Sequence, residues 1–161
     1  MKTIVARHVS PENFKEFGKA VLVSDAYKPD AQSEIQTYYG QLAVMKCDSI
    51  QIGICVAKSR PFIVDELEQH AKTAELLAAL KGDFITPVAT SVVIGGKERP
   101  DMENIKAVRV NQGEGIVFNE GIWHWTPYAA TDTCDVLVGF KTGTPQNDFI
   151  SCKLEESIEI K

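Results

Sequence analysis

The chain has 161 residues, 44% of them hydrophobic and 24% charged, the balance of an ordinary globular protein with a single domain, 1–161. At this length a core holds without disulfides, and these proportions exclude a disordered tail, a collagen-like rod and a coiled coil. Seventeen Lys+Arg against 22 Asp+Glu leave a net charge of −5, which argues against nucleic acid as a partner because phosphate binding relies on clustered cations.

Ser10-Pro11-Glu12-Asn13 opens a short helix: Ser caps, Pro suits the first turn and Glu favours the positive end. Phe14 and Phe17 give it an apolar side, and Gly18 is placed to stop it. The rest reads as strands, over 20–24, 41–47, 50–57, 62–70, 74–81, 84–94, 105–110, 115–119, 122–126 and 134–141, with a weaker one near 153–160. Turn residues punctuate them at Lys58-Ser59-Arg60-Pro61, Lys81-Gly82-Asp83, Gly95-Gly96, Gly113, Glu120-Gly121 and Gly143-Thr144-Pro145. Residues 74–80 have helical propensity, but the stretch is shorter than most helices and its neighbours are strands. Many short strands with regular turns predict one all-β domain, an antiparallel sandwich or barrel.

Cys47, Cys55, Cys134 and Cys152 lack the C-x2-C spacing of a zinc knuckle or redox pair. They read as free thiols of a cytoplasmic protein. No run of 18 apolar residues suggests a membrane span, and Met1-Lys2-Thr3 does not open like a signal peptide.

Two stretches carry chemistry-bearing groups. In 62–70, a period of two places Phe62, Val64, Glu66, Glu68 and His70 on one face. Such a face is either a strand leaving the core with its charged end in water, or one wall of a polar site. Around Trp123-His124-Trp125, the imidazole lies opposite two tryptophans that need burial. His124 is then either a core histidine bonded to a carbonyl, or a functional group aimed inward. Tyr38, Tyr39, Trp125 and Phe118 fit a core, an interface or the lining of a ligand pocket.

Together the two stretches resemble the paired motifs of the cupin superfamily. Glu68-Gln69-His70, then Glu75, then Gly82 reproduces the spacing of the first motif, with Glu68 in place of its first histidine. Gly113, Asn119-Glu120-Gly121 and His124 reproduce the second, with Asn119 where Pro is usual and Tyr128 where the closing Asn would stand. The resemblance implies a cupin-like antiparallel β-barrel of jelly-roll type, in which Glu68, His70, Glu75 and His124 converge from three strands. Imidazole nitrogens with carboxylate oxygens suit Mn, Fe, Ni or Zn, and the absence of cysteine from the set disfavours a closed structural zinc site.

A closer resemblance covers most of the chain. Glu66-Leu67-Glu68-Gln69-His70, Lys81-Gly82-Asp83-Phe84, Pro87-Val88-Ala89, Arg99-Pro100-Asp101, Asn111-Gln112-Gly113-Glu114-Gly115 and Gly121-Ile122-Trp123-His124 are similar to the ureidoglycolate lyase family. Trp125 stands where that family usually has a second histidine, and Tyr38-Tyr39-Gly40-Gln41-Leu42 replaces an Arg-aromatic-His-Asp-Leu-like stretch. At position 75 the acid of general cupins replaces a frequent amide.

The resemblance implies a homodimeric enzyme that splits ureidoglycolate into glyoxylate and urea. On this reading a divalent metal is held by His70, Glu75, His124 and Glu68, with Glu68 or Glu66 moving protons. If no metal binds, the His70, His124 and Glu68 cluster acts as acid and base directly. Lys72 and Arg109 are the cations available for a small carboxylate substrate, with Trp125 and Tyr39 as lining groups. The residues alone leave two other functions open: a non-catalytic binding or sensing protein for a small carboxylate or sugar, and a related lyase or isomerase acting on another hydroxy or keto acid.

Overall fold

A computed structural model describes residues 1–161. The chain opens with two short strands, β1 (Lys2–Ile4) and β2 (Ala6–His8), then one helical turn, α1 (Pro11–Phe14). That turn carries a capping box. Ser10 Oγ accepts from the Asn13 backbone N–H at 3.2 Å, and Asn13 Oδ1 accepts from the Ser10 N–H at 2.9 Å. Next come β3 (Gly18–Val21), β4 (Ala31–Gln32), β5 (Thr37–Tyr38), β6 (Ile50–Lys58), β7 (Ile63–Gln69), β8 (Glu75–Lys81) and β9 (Phe84–Ala89). The second half holds β10 (Ser91–Ile94), β11 (Lys97–Pro100), β12 (Lys106–Val110), β13 (Gly115–Phe118), β14 (Trp123–His124) and β15 (Tyr128–Ala129). It ends with β16 (Thr133–Lys141), the turn α2 (Thr144–Asn147) and β17 (Ile150–Ile160).

These strands build the expected all-β architecture, two facing sheets that form a barrel. One sheet runs β1-β17-β7-β14-β9-β12-β2, with β15 also on β9, and the facing sheet runs β3-β13-β8-β16-β6. Pairing is antiparallel except at β1–β17 and β12–β2. Strand periodicity divides the buried residues between two layers. Phe84 and Val88 of β9 join Val108, Val110, Leu77, Ile116, Phe118 and Val136 in the core between the sheets. Ile85 and Ala89 of the same strand join Trp123, Tyr128, Leu67 and Ile158 in a second cluster on the opposite side.

Several elements differ from the sequence reading. Residues 41–47 form no strand and lie within a mostly exposed segment. The proposed strand 84–94 breaks at Thr90, where the chain turns into the β10–β11 hairpin. β1, β2, β4, β5, β11, β15 and α2 were not anticipated, being two to four residues long and lacking a readable period. Gly18 does not end a helix reaching Phe17. It starts β3 at φ +154°, where an added Cβ would stand 1.9 Å from the Val117 carbonyl oxygen. The face drawn from Phe62 to His70 also divides. The β7–β17 register shifts between Lys153 and Ile158, so Val64 packs with Leu67 in the outer cluster and Phe62 packs against that cluster. All four cysteines are free thiols, and burial pushes Cys134 up to about 11. No helix is long and apolar enough to cross a membrane.

Candidate functional site

Three strand ends bring the polar groups together. His70 follows the last residue of β7, Glu75 is the first residue of β8, and His124 lies on β14 directly across from Glu68 and Val88. The turn that delivers His124 is tied to the one that carries His70: the Gly121 N–H donates to the His70 carbonyl at 2.7 Å. Gly121 itself sits at φ +74°, a left-handed conformation that glycine adopts without strain. This bond joins the two motifs physically.

Both imidazoles are held from behind. His70 Nδ1 donates to the Asp148 carbonyl at 2.6 Å, and His124 Nδ1 donates to the Ile122 carbonyl at 2.9 Å. A carbonyl only accepts, so each Nδ1 carries its proton and each Nε2 turns inward. The His124 ring stacks on Phe118 with centroids 4.4 Å apart and 16° between planes. Phe140 and Phe149 flank His70. The Asp148 carboxylate accepts from the Ala71 and Lys72 backbone N–H groups at 2.9 and 2.7 Å, fixing the turn after β7.

Both Nε2 atoms face one oxygen, Glu75 Oε2, at 3.4 Å from His70 and 2.8 Å from His124. No hydrogen bond joins His124 Nε2 to Glu75 Oε2, and each is buried without a hydrogen-bond partner. Lone pairs of nitrogen and oxygen converging in a buried space need a cation between them, either a proton or a metal ion. His70, Glu75 and His124 each offer a ligand atom within 4.8 Å of the others. Glu68 stands beside them, its Oε1 3.9 Å from His124 Nε2. Two imidazoles and one or two carboxylates form a donor set that fits a divalent transition metal.

The electrostatics follow from this packing. Burial alone would lower the His70 imidazole, but the Glu75 carboxylate outweighs it and raises His70 to about 9. Burial would raise Glu75, yet the His124 and His70 imidazoles hold it at about 2. Glu68 is pushed upward, first by burial and further by the Glu75 charge, so it takes up a proton more readily than an ordinary glutamate.

The remaining sequence candidates lie elsewhere or at the margin. Glu66 is half-buried and sits opposite Lys153, outside the three-ligand cluster. Lys72 is exposed next to that cluster, its backbone bound to Asp148. Arg109 points away, its guanidinium 2.6 Å from Asp83 at the far end of β12. Trp125 packs against the outer cluster, because strand alternation sends it with Trp123 and away from His124. Tyr39 lines a separate cavity of about 500 Å³ with Val23, Tyr27 and Pro29. Phe118, read as core, interface or pocket lining, lies in the core against the His124 ring, whereas Asp148 and Phe140 were not singled out by the sequence, since no motif spacing marks them.

The model of the family described as "Ureidoglycolate lyase" matches residues 1–161, the whole chain. The chain belongs to the ureidoglycolate lyase family. A ureidoglycolate lyase of Escherichia coli K12 is 23% identical over 153 residues, covering 92% of this chain and 93% of that protein. One from Salmonella paratyphi B is 25% identical over 119 residues, covering 72% and 71%. Among solved structures, an oxalate decarboxylase from Bacillus subtilis with Mn(II) centres superposes with a TM-score of 0.44 at 14% identity. That match spans 65% of this chain and 24% of that one. Membership makes this an enzyme-family fold whose buried His–Glu–His cluster has the donors to hold a metal.

Proposed function

We propose that this chain cleaves ureidoglycolate to glyoxylate and urea, with His70, Glu75, His124 and Glu68 as the reacting centre. The observation that carries this is a buried carboxylate faced by two inward imidazole nitrogens, with a second, proton-prone carboxylate beside them, in a chain that matches the family from end to end.

The substrate carbon bears a hydroxyl, a carboxylate and a urea nitrogen. Cleavage removes the hydroxyl proton, closes the C=O bond, breaks the C–N bond and delivers one proton to the leaving nitrogen. One group that takes the first proton and returns it as the second closes the cycle without a co-reactant. Glu68 suits that part because burial raises its pKa, so it holds a proton more readily than an ordinary glutamate. Glu66, on the same strand, is the second candidate for proton transfer.

His70, Glu75 and His124 would hold a divalent metal, whose chemistry here is to lower the pKa of an oxygen bound to it. The carbonyls of Asp148 and Ile122 keep both rings aimed, and Phe118 packs on the His124 ring within the core. Lys72, the cation next to the cluster, meets the substrate carboxylate.

Urea and glyoxylate release from racemic ureidoglycolate, with and without added Ni or Mn, tests this. Product formation abolished by His124→Ala in a folded sample is the expected result. A folded, metal-replete wild type that binds ureidoglycolate without turnover would instead favour a binding or sensing protein. Turnover of a different hydroxy or keto acid in a substrate panel would favour a related lyase or isomerase.

A further inference from the structure

The strand that brings Glu68 and His70 to the cluster carries a further acid on the same face. Glu66 precedes Glu68 by two residues, about 7 Å along β7. Burial, then the Glu75 charge and then the Glu66 charge raise Glu68, so the two neighbours on β7 lie within electrostatic reach. On the adjoining strand, β17 sets Ser151 against Glu68 and Lys153 against Glu66. Cys152, between them, packs with Leu67 in the outer cluster, so alternation turns Ser151 and Lys153 to the side of Glu66 and Glu68. Lys153 is exposed, and it is the one cation that β17 pairs with β7.

The facing wall leaves room there. Gln51, Gly53 and Cys55 of β6 pair with Phe140, Val138 and Val136 of β16, which flank His70 or belong to the core between the sheets. The odd residues of β6 therefore point into the barrel. The Cys55 thiol is pushed up by burial, and the Glu75 and Glu68 charges add to that, so this wall looks toward the cluster. A Cβ on Gly53 would meet no atom within 4 Å.

Residues directly opposite on adjacent strands have Cβ atoms about 5 Å apart, yet no ion pair or hydrogen bond joins Glu66 to Lys153. An acceptor and a donor side by side match a planar ureido group, which offers N–H groups beside a carbonyl. We propose that Glu66 and Lys153 read the ureido end of the substrate, the carboxylate accepting from its N–H groups and the ammonium donating to its carbonyl oxygen. This rests on the reading of the cluster as the place where ureidoglycolate is cleaved, and it narrows the substrate to hydroxy acids bearing a ureido or carbamoyl group. A second carboxylate in that position would be repelled by Glu66, and an apolar group would leave both charges unanswered.

Calorimetric titration of the full chain, supplied with Mn, tests this with two probes. N-carbamoylglycine has the ureido group and no hydroxyl to react; glycolate has the carboxylate and hydroxyl without the ureido group. Lys153→Met and Glu66→Gln should each weaken N-carbamoylglycine about tenfold or more and change glycolate by less than about twofold. Glu66→Gln is nearly isosteric, so it decides the matter even if Lys153→Met fails to fold. In ureidoglycolate turnover both variants should raise KM with little change in kcat; a fall in kcat at unchanged KM would make Glu66 a proton-transfer group and overturn the proposal. Equal weakening of both probes, or of neither, also overturns it, as does a wild type that does not bind N-carbamoylglycine. A wild type that binds this probe through the pair yet releases no urea from ureidoglycolate upholds the recognition and removes the lyase reading.

Discussion

At the scale of single residues, the account rests on Glu75, which faces both imidazoles from inside the barrel. Glu75→Gln removes the charge that holds His70 at about 9, leaving burial opposed only by the Asp148 carbonyl and the Glu68 charge, so the His70 pKa should fall well below 9. NMR titration of the imidazole checks this; a His70 pKa still near 9 would mean that another group protonates it. The same pair shapes the stability of the metal-free protein. His70 is raised, so its contribution is complete below pH 6.5 and fades as pH climbs through about 9. Glu75 is lowered, so its contribution is complete above pH 4.5 and fades as pH falls toward 2. Thermal melts in chelator should therefore show this pair's full support between those two ordinary values, with a loss on the alkaline side of roughly 3 kcal/mol at most. That His70, Glu75 and His124 meet was legible because two motif spacings fix them within short stretches. Asp148 was not, because it lies 78 residues from the ring that it holds. Arg109, Trp125 and Tyr39 lie away from the cluster for a related reason: charge and aromaticity alone do not say which neighbour a side chain meets, and Arg109 met Asp83.

At the scale of elements, the long periodic strands were readable and the joints between them were not. β7, β8, β9, β12, β13 and β16 lie where alternation and turn residues place them. Residues 41–47 have the apolar content of a strand, but no neighbouring strand pairs with them. α1 shows a cap outweighed by tertiary contact: Ser10 starts the helix, and the approach of Gly18 to Val117 ends it within a turn. Gly18→Ala should cost about 2–4 kcal/mol, since the Cβ collides with backbone that cannot swing aside. Urea unfolding measures this; a loss under about 0.5 kcal/mol would show that β3 shifts freely against β13.

At the scale of the whole molecule, two sheets enclose a largely apolar core into which the ends of β7, β8 and β14 deliver carboxylates and imidazoles. The all-β class was legible because strand periodicity recurs along the chain, whereas the division of the face from Phe62 to His70 goes with a β7–β17 register shift that no local pattern announces. Within that core the buried His70, Glu75 and His124 form a centre whose donors suit a divalent cation. The most direct measurement is titration of Mn or Ni into chelator-stripped protein, followed by elemental analysis, for the wild type and Glu75→Gln. The account predicts one ion per chain in the wild type and at least a tenfold weaker affinity, about 1.4 kcal/mol, in the variant. A folded wild type that takes up no ion, or a variant that binds as tightly, would contradict it.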